Sequence, residues 1–159
     1  MSCGGGSDVE ILVHKLADQS SAKGAQRGDH RPLVFLDFDR TFCSTKNGAD
    51  PLVGSHKLDS DLLGVACNTA LARVHILTRN SHTASIQEIL RRHGVPTDVS
   101  VISVPRGSKG EVIRDQLQQA QSGVQCLFVD DDLAEHCDPV LATGICAEAV
   151  HRLLFTRVC

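Results

Sequence analysis

Residues 32–41 read Pro-Leu-Val-Phe-Leu-Asp-Phe-Asp-Arg-Thr, and they give the strongest indication of the fold. The stretch begins with an apolar run, residues 33–36, which is typical of a strand buried on both faces of a parallel sheet. The run ends at two carboxylates, Asp37 and Asp39, where the chain leaves the sheet. Ligands bind at that edge in open α/β sheets. Two like charges so close together indicate a divalent cation, a shared proton or a solvated turn.

Strands and helices alternate after this first strand. Further strands are predicted at residues 74–77, 99–104, 125–129 and 151–158. Helices are predicted at residues 58–72, after a cap at Ser81, after a cap at Ser108, and as a short turn around residues 133–136. This alternation predicts an α/β fold with a doubly wound, parallel, five-stranded sheet.

The first 31 residues are predicted to be a flexible leader, and residues 32–159 the folded domain. Residues 4–7 and 20–29 are low in complexity, and an amphipathic patch lies between them. Val9, Leu12, Val13 and Leu16 share one helical face, which predicts a helix of one or two turns with Asp8 as its cap. A docking helix, or the remnant of a linker in a longer polypeptide, is the alternative.

Composition limits the function classes. The chain has 159 residues, 42% of them apolar, and a net charge of −3, which fits one globular domain. It has no basic run that would neutralise a nucleic-acid backbone and neither Trp nor Tyr for base stacking, so a nucleic-acid substrate is not expected. The seven cysteines include no CxxC pair, and no signal peptide or long apolar stretch is visible. We therefore expect a cytoplasmic protein with reduced thiols and no membrane partner.

Chemistry-bearing residues follow the predicted strands in order. Thr78 follows the second strand, Lys109 begins the helix after the third, and the fourth runs into Asp130 and Asp131. All of these places lie on one edge of a parallel sheet, together with the carboxylates that follow the first strand. A nucleophilic carboxylate, a hydroxyl, an ammonium and further acids able to hold a metal match the needs of phosphoryl transfer.

The sequence resembles the haloacid dehalogenase-like superfamily of aspartate-nucleophile phosphatases. Four motifs carry the resemblance: the DxDxT pattern at residues 37–41, Leu-Thr-Arg-Asn at 77–80, Lys109, and Phe-Val-Asp-Asp at 128–131. The DxDxT pattern is fairly specific, whereas for the other three the order and spacing carry the weight. The resemblance spans about residues 33–158 and implies a Rossmann-like sheet with the strand order 3-2-1-4-5.

The resemblance also implies a role for each matching position. Asp37 would attack phosphorus to form an aspartyl-phosphate, and Asp39 would act as general acid and then as general base. Thr78 and Lys109, with Arg79, would hold the transferred phosphoryl group. Mg²⁺ would be bound by Asp37, the backbone carbonyl of Asp39 and Asp131, with Asp130 in support. Asp132 and Glu135 offer further carboxylates nearby, and Glu135 would replace the last acid of a GDxxxD form of the fourth motif.

The spacing of the motifs leaves no room for a cap domain. The chain therefore resembles the capless members of the superfamily, and its site is expected to be open. The expected substrate is a phosphorylated small molecule or a phosphoprotein, and a partner chain or a second copy of the chain could serve as a lid.

Three alternatives stay open from the sequence. Receiver domains also gather Asp, Thr and Lys around Mg²⁺, but they place the acidic pair on the first strand and the lysine after the last, so the order here favours a phosphatase. A catalytically quiet binding or regulatory module of a larger protein is the second alternative. Phosphoryl transfer to an acceptor other than water is the third.

Each residue named above could instead have an ordinary structural role and no part in chemistry. Asp131, Asp132 and Thr78 could cap helices or form turns, and Lys109 could be a solvated lysine at a helix start. Four motifs that follow the expected order along one sheet edge would rarely arise by coincidence, so the set as a whole favours a functional site. Cys43 is expected to be a buried thiol. His75 is expected to be a core residue, whereas His82, His93 and His136 are expected on helix surfaces.

Overall fold

The fold is built around a single sheet. The computed structural model describes residues 6–22 and 27–156, and the five strands in these ranges all pair in parallel. The strands are β1 (Leu33–Leu36), β2 (Arg73–Thr78), β3 (Ser100–Ser103), β4 (Cys126–Asp130) and β5 (Val150–Leu154). Their order is β3-β2-β1-β4-β5, which confirms the predicted order and an open, Rossmann-like α/β architecture.

Strand β1 lies at the centre of the sheet, as its apolar run predicts. Leu36, its last residue, pairs with Ile76 of β2 and Val129 of β4. Val34 and Leu36 belong to the core on one face, whereas Leu33 and Phe35 belong to the core on the other face. The residues that follow these three strands therefore emerge together at one edge.

Helices cover both faces of the sheet. On the face of Val34 lie α1 (Gly6–Ala22), α2 (Ser60–Cys67) and α3 (Thr83–Arg92). On the face of Phe35 lie α4 (Lys109–Gln119), a 3₁₀ turn (Pro139–Ala142) and a short helix near the carboxyl end. One turn, α5 (Leu133–His136), follows β4, and the short helix is α6 (Gly144–Ala149). These three layers confirm the doubly wound arrangement.

Helix α1 differs from its prediction. It is 17 residues long rather than one or two turns, and Val9, Val13 and Leu16 are buried in the core between α1, α2 and the sheet. Isolated helices are marginal in water, so burial of an apolar face is what extends such a helix beyond its local propensity. Residues 1–5 and 23–26 of the predicted flexible leader lie outside the described residues.

Several element ends also differ from prediction. Helix α2 stops at Cys67 instead of residue 72, because the chain turns after Asn68 to enter β2. Ser81 is not the cap of α3; His82 holds that position and makes no side-chain capping bond. Strand β5 covers residues 150–154, and residues 157 and 158 of its predicted range lie outside the described residues. Ser108 does cap α4, accepting a 3.0 Å hydrogen bond from the amide of Glu111.

Within residues 27–156 no cap domain interrupts the sheet, as predicted. The segment between β1 and β2 holds a loop and α2, and the segment between β2 and α4 holds α3 and β3. No helix in the described ranges combines the length and apolar character needed to cross a membrane.

Candidate active site

An open cleft lies at the carboxyl ends of the central strands. Its volume is about 570 Å³. It is lined by every site residue predicted above, namely Asp37, Asp39, Thr78, Arg79, Lys109, Asp130 and Asp131, together with Arg40, Asn47, Gly48, Asp132, Leu133 and Glu135. The structure therefore brings the four motifs to one place.

The inner end of the cleft is organised by Lys109, whose side chain is only 1% exposed. Its Nζ donates hydrogen bonds to Asp37 Oδ1 at 2.8 Å and to Asp130 Oδ2 at 2.7 Å. This contact follows from the fold, because β1 delivers Asp37, β4 delivers Asp130 and α4 begins at Lys109. A buried ammonium is retained only when it is paired in this way.

A third carboxylate, that of Asp131, completes an acidic cluster with Asp37 and Asp130. Ligand oxygens of the three residues all lie within 4.8 Å of one another. Three carboxylates facing one ammonium leave an excess of negative charge, and hard oxygen ligands suit Mg²⁺. The residues present therefore fit a divalent cation.

The remaining hydrogen bonds engage the three carboxylates unequally. Thr41 Oγ1 lies 3.1 Å from Asp37 Oδ2 and 3.4 Å from Asp131 Oδ1. Asp37 thus accepts at both of its oxygens, from Lys109 and from Thr41, and Asp130 does the same, from Lys109 and from the amide of Asp132 at 2.9 Å. Asp131 is the member of the cluster least engaged by hydrogen bonds among the described residues, and its carboxylate is therefore the one most available to a cation.

The pKa values of the cluster reflect its excess of carboxylates over ammonium groups. Burial raises the pKa of Asp37 to about 7, and the charges of Asp130 and Asp131 add to the rise while Lys109 opposes it. Burial likewise raises the pKa of Asp130, against the opposing effect of Lys109. Burial would lower the pKa of Lys109, but the two carboxylates outweigh it and the net shift is upward. The cluster consequently favours bound protons or a cation.

Asp39 lies in a different environment. Its Oδ1 accepts hydrogen bonds from Thr45 Oγ1 at 2.7 Å and from Asn80 Nδ2 at 3.0 Å, and its Oδ2 accepts one from the amide of Gly48 at 2.7 Å. Gly48 has φ +73°, a conformation that side chains rarely adopt, and it brings its N–H to the carboxylate. Neutral donors therefore fix the orientation of Asp39 at the mouth of the cleft.

Thr78 and Arg79 end the second strand and make different contacts. Thr78 Oγ1 accepts a 3.0 Å bond from the amide of Asn80, so the hydroxyl keeps its own hydrogen for a ligand in the cleft. Arg79 forms a bidentate pair with Glu135, at 2.8 and 3.0 Å, and donates to two backbone carbonyls. Arg79 thus forms a wall of the cleft, and Glu135 pairs with it rather than joining the acidic cluster.

Asp138 lies outside the cleft but positions one of its residues, and the sequence analysis missed it. It accepts hydrogen bonds from Ser108 Oγ at 2.5 Å and from the amide of Gly110 at 3.1 Å, and so holds the start of α4 on both sides of Lys109. A Cβ atom on Gly110 would lie 2.8 Å from the Asp138 carboxyl carbon, which explains why glycine stands there. The Asp138-Pro139 dipeptide is a turn signal, but its contact with α4 is invisible in sequence.

The predictions for Cys43, His82 and His93 are confirmed, since Cys43 is fully buried and the two histidines are exposed. His75, predicted to be a core residue, is only part-buried, because it lies on β2 with its ring stacked on Phe35 but outside the buried core. The prediction for His136 is wrong. This residue is 7% exposed, because its ring packs against Phe128 and its Nε2 lies 3.0 Å from the carbonyl of Asp130.

Comparison with known proteins adds no family to this geometry. No protein-family model matches the chain, and neither a curated protein nor a solved structure is significantly similar to it.

Proposed function

We propose that the protein is a Mg²⁺-dependent phosphomonoester hydrolase that works through an aspartyl-phosphate, similar to the capless haloacid dehalogenase-like phosphatases. The observation that carries the proposal is the contact of Lys109 Nζ with both Asp37 and Asp130 beside the third carboxylate of Asp131. A carboxylate, an ammonium and a candidate cation site converge there within reach of one phosphoryl group.

The chain's own residues divide the reaction into two steps. In the first, a carboxylate oxygen of Asp37 bonds to phosphorus, the bond from phosphorus to the leaving oxygen breaks, and Asp39 gives that oxygen a proton. In the second, Asp39 takes a proton from water, the water oxygen bonds to phosphorus, and phosphate leaves Asp37. Lys109 and Thr78 donate hydrogen bonds to the phosphoryl oxygens throughout.

The hydrogen-bond networks suit these two roles. Asp39 is fixed by three neutral donors and stays in contact with the cleft, as a group that exchanges protons with the leaving oxygen and with water requires. Asp37 is held between Lys109 and Thr41, so its carboxylate cannot rotate away from the cleft. When bound, Mg²⁺ would be held by Asp37 and Asp131, and it would keep Asp37 ionised and neutralise charge on the phosphoryl oxygens.

The decisive experiment measures release of nitrophenol from para-nitrophenyl phosphate with Mg²⁺ and with EDTA. We expect slow turnover that EDTA abolishes, and a loss of at least about a thousandfold in Asp37→Asn because the covalent route is closed. Asp39→Asn should also be strongly impaired. Acid quenching with a labelled substrate should trap phosphate on wild-type protein but not on Asp37→Asn.

A matched control is Asp115→Asn, an exposed carboxylate on α4 whose ion-pair partner is its neighbour Arg114. It should keep wild-type turnover. Calorimetric binding of Mg²⁺ without turnover on a panel of phosphorylated metabolites and phosphopeptides would contradict the enzyme and favour a binding or regulatory module. Transfer of the label to an added alcohol instead of water would identify a phosphotransferase.

A further inference from the structure

Two residues at the mouth of the cleft have an unusual backbone conformation. Among residues 6–22 and 27–156, Arg40 (φ +59°) and Asn47 (φ +54°) are the two non-glycine residues with positive φ. Asparagine adopts this left-handed region with little penalty, but arginine does so only under strain. Strained residues of this kind occur preferentially at functional sites.

The same turn that binds Asp39 holds Arg40 in this conformation. The amide of Arg40 donates to the carbonyl of Thr45 at 3.0 Å, and the hydroxyl of Thr45 donates to Asp39. The guanidinium of Arg40 lies 3.4 Å from Asn47 Oδ1, a long hydrogen bond. The position of Arg40 is therefore coupled to that of the proposed general acid.

Arg40 differs from the other two cations that line the cleft. Lys109 lies between two carboxylates, and Arg79 is paired with Glu135 in bidentate fashion. Arg40 is exposed, and in the described ranges it forms no ion pair. A guanidinium carries five N–H donors in a planar fork that matches a carboxylate or a phosphate. Most of the donors of Arg40 are thus available to a ligand.

We propose that Arg40, positioned by Asn47, binds an anionic group on the leaving portion of the substrate, so that the cleft selects phosphate monoesters that carry a second negative charge. This inference rests on the proposed function for the direction in which the substrate lies. In-line displacement places the leaving oxygen opposite Asp37 and beside Asp39, on the side of the loop that carries Arg40.

An exposed apolar side chain in the lining of the cleft indicates the character of the substrate's organic part. Leu133 is 63% exposed and lines the same cleft as Arg40. An apolar or aromatic body bound in the cleft would remove apolar surface of this kind from water. The substrate class is therefore an aryl or alkyl phosphate whose organic part ends in a carboxylate or a second phosphate.

The test compares two ligands that cannot be hydrolysed, phenylphosphonate and 4-phosphonobenzoate, which differ by one carboxylate. Calorimetry with Mg²⁺ gives the ratio of their affinities. In the wild type we expect 4-phosphonobenzoate to bind about two- to fivefold more tightly, the upper part of the range for exposed ion pairs. High salt should reduce the ratio.

The variant Arg40→Asn removes the guanidinium with a residue that tolerates the left-handed backbone, so the turn is preserved. We expect its ratio of affinities to fall to about one. Arg40→Lys keeps the charge but not the planar fork, and should give an intermediate ratio. The matched control is Lys46→Gln, which removes an exposed cation from the same loop at a position that does not line the cleft; its ratio should equal that of the wild type.

The outcomes separate this proposal from the proposed function. Discrimination that depends on Arg40 in a protein without turnover would support the anion subsite and contradict the phosphatase. Turnover of aryl phosphates together with equal affinity for the two phosphonates would support the phosphatase and contradict the anion subsite. A ratio that falls equally in Arg40→Asn and Lys46→Gln would overturn the subsite, since it would reflect only the net charge of the loop, and so would a failure to bind either phosphonate.

Discussion

Asp37 and Asp39 are two residues apart in sequence, yet the fold gives them opposite surroundings. Asp37 is buried and meets charged groups: one ammonium and two further carboxylates. Asp39 is partly exposed and meets three neutral donors, from Thr45, Gly48 and Asn80. One carboxylate is thus placed where a cation and a phosphoryl group would be attracted, and the other is held in a fixed direction at the mouth of the cleft, where it is partly exposed.

The contrast between the two carboxylates shows how a short loop can separate two chemical roles. The first carboxylate follows a strand buried on both faces, so its charge has to be balanced by groups from other strands and helices. The second is already in the turn, whose own backbone and side chains supply hydrogen bonds. We expect changes near Asp37 to have large electrostatic effects that vary with pH, and changes near Asp39 to have small ones.

The largest effect is expected from Lys109→Met, which removes the only cation that contacts Asp37 and Asp130 among the described residues. Breaking a buried ion pair by deleting one partner costs about 3–5 kcal/mol of unfolding free energy. Urea denaturation at pH 8 in EDTA measures the loss. The loss should be smaller at pH 5, because protonation of Asp37 and Asp130 then removes the negative charge that Lys109 no longer balances.

The double variant Lys109→Met/Asp130→Asn is the control for this prediction. Neutralising one of the two carboxylates that have lost their ammonium partner should restore part of the lost stability. A double-mutant cycle would measure this as a coupling energy between Lys109 and Asp130. Equal losses at pH 5 and pH 8, with no coupling, would mean that packing rather than charge explains the effect.

The second prediction concerns Asp37→Asn without metal. The folded protein holds a proton on Asp37 up to about pH 7, whereas the unfolded chain loses it near the ordinary value of 3.8. The contribution of Asp37 to stability is therefore complete below about pH 4 and is lost as the pH rises through 7. Asparagine does not ionise, so the variant should be more stable than the wild type at pH 8, by up to about 4 kcal/mol for a pKa raised from 3.8 to about 7.

Denaturant unfolding in EDTA at pH 4.5, 6 and 8 checks this trend. The advantage of the variant should shrink toward acid pH, and Mg²⁺ should reduce it at pH 8 by stabilising the wild type, since a ligand that binds only the folded state adds to stability. Asp115→Asn should show no such trend. A variant less stable than the wild type at pH 8 would contradict the electrostatic account of Asp37.

The smallest effect is expected from Thr45→Val, which removes one neutral donor to Asp39 with almost no change of shape. Thr45 is fully buried, and its hydrogen bond to Asp39 is 2.7 Å long. We expect a loss of about 1 kcal/mol in unfolding free energy and a lower kcat with little change in KM, because Asp39 would be less well oriented.

Thr143→Val serves as the comparison for Thr45→Val. Thr143 is exposed, and its hydroxyl bonds only a nearby carbonyl, that of Val140 at 2.9 Å. It should alter neither stability nor turnover measurably. If Thr45→Val changed KM instead of kcat, the turn would act in binding rather than in orienting the acid.

Much of this arrangement could be predicted from the sequence because it follows from the central strands. Short apolar stretches predicted the central strands, and the residue types just beyond these strands indicated the cleft. Because the strands are parallel, the residues that follow them meet at one edge, and the proximity of Asp37, Lys109, Asp130 and Asp131 could be inferred from the topology alone.

Other features could not be predicted, because they depend on contacts between segments distant in sequence. The pairing of Arg79 with Glu135 spans 56 positions, and the contact of Asp138 with Gly110 spans 28. His136 was misplaced because a single helical turn is too short for periodicity to show which side is buried. The length of α1 depends on its packing against α2, and the residue pattern of α1 alone does not reveal that packing.

The packing of α1 has a consequence for how the chain folds as it is synthesised. Val9, Val13 and Leu16 leave the ribosome before α2 and before every strand of the sheet that they cover. Until those segments emerge, the apolar side of the nascent helix has no native surface to bind and is open to chaperones or to other nascent chains. Helix α1 is therefore translated before the elements it packs against, yet it is one of the last segments that can reach its final contacts.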